Sequence, residues 1–161
     1  MRSKSPFAAI AAFLLVLAGC GGGGGGDESQ PSELPAGHES VLVIEDWVET
    51  LSSGDVSGAA DYFALPSVAE NGTPPITLHT RGDVLDFNRS LPCGARLLRA
   101  RPDGRLIDAT FRLTERPGGD CGSGAGELAR TAFLVKDGKI ALWRRLPNPR
   151  EQGGGGGGPI V

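Results

Sequence analysis

Abstracting a proton from a substrate carbon takes a carboxylate or an imidazole as base, and the oxyanion that forms needs a donor beside it. The side chains of this sequence that could fill those roles are Asp108, Tyr62 and His79. Each has a competing reading. Tyr62 is the only tyrosine and follows Asp61 directly; on a helix two such neighbours point about 100° apart, so they cannot form one constellation. Asp108 shares its side of an alternating stretch with Thr110 and Arg112, which fits a solvated face or an ion pair as well as a cavity wall. His79 stands alone before a helix start, where a general base or pH sensor competes with a locally hydrogen-bonded surface residue. No catalytic residue is assigned on these grounds. One cysteine pair with one nearby histidine does not make a zinc set, so no metal site is expected. Gly122 to Gly126 imitates a phosphate loop but lacks the lysine and the following helix. No cofactor is expected.

The third kind of reactive group is the thiol. Cys20 ends a 12-residue apolar run, Phe7 to Ala18, preceded by Arg2 and Lys4 and followed by six glycines. That is the layout of a secretory signal, and it is too short for a bilayer span of roughly 20 residues. Leu17-Ala18-Gly19-Cys20 resembles the lipobox of bacterial lipoproteins. The resemblance implies a signal peptide over 1–19, diacylglycerol on Cys20, and a chain anchored by lipid to the extracytoplasmic face of the cell membrane, since each buried CH₂ contributes about 0.8 kcal/mol. An ordinary secretory signal with a chance cysteine, or an uncleaved anchor, is the alternative. Residues 20–39 are Gly-, Ser-, Pro- and acid-rich and read as a flexible tether with a span on the order of 25 Å. Residues 150–161 read as a disordered glycine-rich tail. This leaves 40–149 as one domain, long enough for a single core. With Cys20 taken by lipid, Cys93 and Cys121 are a pair in an oxidising compartment, where a disulfide is expected.

Charge is segregated along the chain. The net charge is −3, yet no Lys or Arg lies between Ser5 and Thr80, and most bases follow Arg81. An acidic tether is repelled by anionic lipid. The arginines on the expected strands (Arg96, Arg99, Arg101, Arg112, Arg130, Arg144 and Arg145) could meet an acidic partner, or be neutralised within the fold. Aromatic residues are not interleaved with them as single-strand binding requires, so no nucleic acid is expected.

These groups must be positioned by the elements around them. Val41, Ile44, Trp47, Val48 and Leu51 recur at helical spacing, and Gly54 suits the end of that helix. Asp55 is a good cap for a second helix, in which Val56, Ala59, Ala60 and Phe63 share a face. Residues 67–79 hold Asn71-Gly72 and Pro74-Pro75 and read as loop or a short edge strand. Thr80 caps a third helix that runs to Leu91 and stops at Pro92. The period then becomes two: strands are predicted over 95–101, 106–114, 127–136 and 139–146, with Asp137-Gly138 as a strong hairpin signal. Helices followed by an antiparallel meander give an α+β fold with the helices on one sheet face.

Two stretches, DWVETLSSGDVSGAADYFA and TAFLVKDGKIALWR, resemble the NTF2-like superfamily in its SnoaL-like and ketosteroid-isomerase-like sense. A cystatin-like or other helix-on-sheet domain is the alternative. The resemblance implies N-terminal helices packed on a curved antiparallel sheet around a conical pocket, here lined by Trp47, Phe63, Phe111 and Trp143, with core packing the alternative for the two tryptophans. The catalytic motif of the isomerases does not map onto this sequence, so no residue role is carried over. The reading is a tethered domain that binds a small apolar ligand or a protein partner without catalysis. The alternatives are a ketosteroid-isomerase-like or SnoaL-like pocket enzyme, and a module that dimerises or docks a partner through its basic sheet face. The partners this leaves are the membrane, through lipid on Cys20, a small apolar ligand or a protein, and a second copy of the chain.

Overall fold

The computed structural model describes residues 36–72 and 74–148. The signal peptide, Cys20, most of the expected tether and the tail lie outside the described residues. The elements in chain order are α1 (Ala36–Ser52), α2 (Val56–Ala60), β1 (Phe63–Glu70), β2 (Ile76–Leu78), α3 (Arg81–Ser90), β3 (Gly94–Asp103), β4 (Leu106–Thr114), β5 (Leu128–Lys136) and β6 (Lys139–Leu146). They form an α+β fold, with helices laid against one six-stranded sheet of order β2-β1-β6-β5-β4-β3.

The helices begin where the capping residues dictate. The Asp55 carboxylate accepts from the Gly58 N–H at 2.8 Å. Thr80 and Asp83 form a reciprocal capping box: the Thr80 hydroxyl accepts from the Asp83 N–H, and the Asp83 carboxylate accepts from the Thr80 N–H. α1 starts at Ala36, inside the stretch read as tether. Its first turn carries exposed His38 and Glu39, so it shows no apolar stripe. At the other end Gly54 adopts φ +92°, and a Cβ there would sit 2.8 Å from Pro117 Cβ. Only glycine meets both conditions.

Two sequence expectations are corrected. The second helix does not reach Phe63. It stops at Ala60, and Phe63 opens β1. Phe63 stays buried in either case, so its apolarity marked burial and not the element. The sheet is mixed and not purely antiparallel, because β1 runs parallel to β6 while every other pairing is antiparallel. The stretch 67–79, read as loop or a short edge strand, therefore supplies half of β1 and all of the edge strand β2. The Asp137-Gly138 turn is as expected, with φ of 50° and 69° at its two central residues, the conformation of a two-residue hairpin that matches strand twist.

Two bulges set which side chains face the helices. Register shifts between Leu97 and Arg99 in β3, and on β6 opposite Leu134 and Val135. The second shift brings both Ile140 and Trp143 to the helix side, although an odd spacing separates them; both are buried. The core is a chain of edge-to-face rings. Phe111 meets Phe133, Phe133 meets Trp47, Trp47 meets Phe63, Phe63 meets Phe87, and Phe87 meets Trp143, at centroid separations of 5.2–6.1 Å. Each such pair contributes about 0.5–1.5 kcal/mol beyond area burial. α1 is also clipped to β3: the Ser52 hydroxyl donates to the Ala95 carbonyl and accepts from the Ala95 N–H.

Candidate functional site

Between α1 and the inner sheet face lies a cavity of about 200 Å³. α1 contributes Trp47, Val48 and Leu51 to its wall. Phe111 and Leu113 of β4, Ala129 of β5 and Trp143 of β6 form the sheet side. Leu91, Pro92 and Cys93, the segment after α3, complete the rim. Polar side chains reach the cavity from Asn71, Thr131 and Arg145. The lining contains no carboxylate, histidine or tyrosine.

The rim is stitched in place. A disulfide joins Cys93 to Cys121. Beside it, buried Arg116 donates to the Leu91 carbonyl from Nε and Nη2, to the Arg89 carbonyl from Nη2 and to the Pro117 carbonyl from Nη1. A buried charge is tolerated only when its donors are occupied in this way. Gly119 packs so closely that a Cβ would lie 2.3 Å from the Pro92 carbonyl oxygen. The loop between β4 and β5 therefore holds residues 89–93 against the sheet.

The residues singled out in the sequence divide as follows. Trp47, Phe111 and Trp143 line the cavity, and Phe63 does not; Phe63 lies behind, its ring against Trp47 and Phe87. Asp108 lies between buried Ile107 and Ala109 on β4 and so faces away from the helices, where it forms an ion pair with Arg130. Tyr62 is half-buried against the core, and its carbonyl accepts from the Ile140 N–H. His79 is exposed at the start of α3, its backbone N–H donating to Asp83 at 2.9 Å. The three are not brought together, and none reaches the cavity.

Electrostatics outside the cavity serve the fold. Backbone N–H donors from Thr80, then His79, hold the Asp83 carboxyl below its ordinary range. Hydrogen bonding to Arg81 does the same for Asp61. On the outer sheet face Arg130 pairs with Asp108 and Arg144 with Glu70, while Arg112 donates to the Gly126 carbonyl. The expected basic face is thus partly neutralised within the fold. Arg145 departs from that group, because the β6 bulge turns it inward. Among the described residues no three His, Cys, Asp or Glu side chains converge as a metal set would.

Sequence reasoning missed Arg145, Thr131 and Asn71 as cavity residues. Strict alternation from Ile140 would have turned Arg144 inward. Trp143 carried the opposite signal, since an apolar Trp143 on the core side places Arg145 there too.

The sequence matches no protein-family model and no curated protein. Solved structures do match. A candidate polyketide cyclase of Sinorhizobium meliloti superposes with TM-score 0.54 at 18% identity, covering 73% of this chain and 99% of its own. A candidate ketosteroid isomerase of Kribbella flavida gives 0.50 at 20% identity, over 71% of this chain and 86% of its own. An NTF2-like protein of unknown function from Cytophaga hutchinsonii gives 0.52 at 10% identity, over 71% and 93%. The fold is NTF2-like, and at these identities it is the fold alone that is shared.

Proposed function

We propose that the chain is a membrane-tethered extracytoplasmic lipoprotein whose NTF2-like domain holds a small apolar ligand without catalysis. The observation that carries the binding role is the cavity: aromatic and aliphatic walls, a cross-linked rim, and no carboxylate, histidine or tyrosine facing in. Proton-transfer chemistry of the isomerase kind would need such a group at the ligand. The volume lies below the roughly 300–1,000 Å³ of drug-sized sites, which favours a compact ligand. Support for the tether is the Leu-Ala-Gly-Cys sequence ending at Cys20 behind a short apolar run, and a disulfide fits an oxidising compartment.

Native mass spectrometry of the full chain extracted from membranes in mild detergent tests both parts. The expected mature species starts at Cys20 with diacylglycerol attached, and carries a small molecule released on denaturation. An uncleaved, unmodified chain would overturn the tether. A chain that arrives empty, and converts added apolar carbonyl compounds to product, would overturn the binding role.

A further inference from the structure

The polar members of the cavity wall are not scattered. Arg145 of β6 stands directly opposite Thr131 of β5. Asn71 follows Glu70, which pairs with Arg144 on the other side of β6. The register therefore sets Thr131 and Arg145 side by side on β5 and β6, and Asn71, just past the end of β1, continues that row. Everything else that lines the cavity is apolar apart from the indole N–H groups of Trp47 and Trp143.

Two donors in this row and next to it are unspent. Among the described residues Arg145 has no ion-pair or hydrogen-bond partner, whereas Arg130, Arg144, Arg81 and Arg89 all pair with carboxylates. Trp143, two residues before Arg145 on the same face, is 5% exposed, and its indole N–H is buried with no acceptor. Trp47, across the cavity, spends its N–H on Asn88 at 3.3 Å. A buried donor left unpaired is costly. A guanidinium in a largely apolar recess interacts more strongly with an anion than one in open solvent does, and its planar fork matches two carboxylate oxygens.

Resting on the ligand-binding reading above, we infer that the ligand is a small apolar carboxylate, its anionic end paired with Arg145 and its apolar body against Trp47, Phe111 and Trp143. The hydroxyl of Thr131 and the amide of Asn71 flank the carboxylate, and the Trp143 N–H offers a further donor on that wall.

The test uses two probes of one shape, para-butylbenzoate and its neutral match para-butylbenzamide, titrated calorimetrically into the full chain in detergent at neutral pH. The benzoate should bind about tenfold tighter or more, the range for a hydrogen bond to a charged group. Arg145→Gln should erase that preference by weakening the benzoate far more than the amide, in a variant shown by its thermal melt to be folded. Equal binding of the two probes to the wild-type chain would overturn the anionic assignment and leave the apolar site standing. A benzoate preference that survives in Arg145→Gln would overturn the role of Arg145. Failure of both probes to bind would remove the apolar site and this inference with it.

Discussion

At the scale of single residues, the informative side chains are polar groups in places where polarity is expensive. Asn88 is fully buried; its Oδ1 accepts from Trp47, and its Nδ2 has no partner. Trp47→Phe would keep an aromatic ring in the core array but leave both polar ends of Asn88 unpaired. The expected loss is about 1–3 kcal/mol, read as a lower urea midpoint at unchanged slope. Asp83 makes a different prediction. Its folded pKa is held down by the capping N–H donors of Thr80 and His79. The cap therefore contributes fully above the ordinary carboxylate pKa of about 3.9, and that contribution fades as pH falls through the lower folded value. Asp83→Asn keeps an acceptor and removes the titration. Below about pH 4 the stability of this variant should fall less steeply than that of the wild type, in urea melts at stepped pH. Asp61, also depressed through Arg81, should leave part of the acid dependence intact. These residue-scale features were unevenly legible. Thr80 and Asp55 announce themselves as caps by type and position, whereas the isolation of Asn88 depends on which ring approaches it from 41 residues away.

At the scale of elements, local chemistry forecast what local chemistry controls. The Asp137-Gly138 hairpin, the Pro92 stop and the alternation of β4 follow from backbone preference and period, and all were readable. β1 was not, because its strand pairing is parallel to β6 and set by contacts more than 70 residues distant in sequence. Phe63, Ala60, Ala59 and Val56 also imitate a helical stripe across the α2–β1 junction. The inward turn of Arg145 depends on a bulge, which a one-residue offset between Ile140 and Trp143 hints at and pairing alone establishes. The element that matters most for the site is the loop between β4 and β5, held by Cys93–Cys121 and Arg116. Replacing both cysteines by serine frees a loop of 28 residues' separation. In the chain-entropy account that costs about 3–4 kcal/mol. Because Cys93 is part of the cavity rim, the same double variant should bind para-butylbenzoate more weakly, measured calorimetrically at a temperature where circular dichroism shows it still folded.

At the scale of the whole molecule, the helices and the curved sheet share one apolar interior, and the cavity is the part of that interior left unfilled between α1, the rim and strands β4 to β6. The overall class was legible because helices preceding a run of hairpin-linked strands leave few ways to bury both faces. Three of the four aromatic residues expected in the pocket are there, since bulky rings on core-facing positions surround any gap in such a fold. The chain has two tryptophans, and both line the cavity, so its indole emission reports on this site alone. The most direct measurement is therefore a fluorescence titration of the full chain with para-butylbenzoate, run beside Ala129→Leu, which fills the gap from β5 next to Phe111, with both proteins shown by urea unfolding to be folded. The account predicts a saturable change in tryptophan emission in the wild type that is lost in the filled variant. An emission change of equal size and midpoint in both proteins, or none in the wild type, would contradict it.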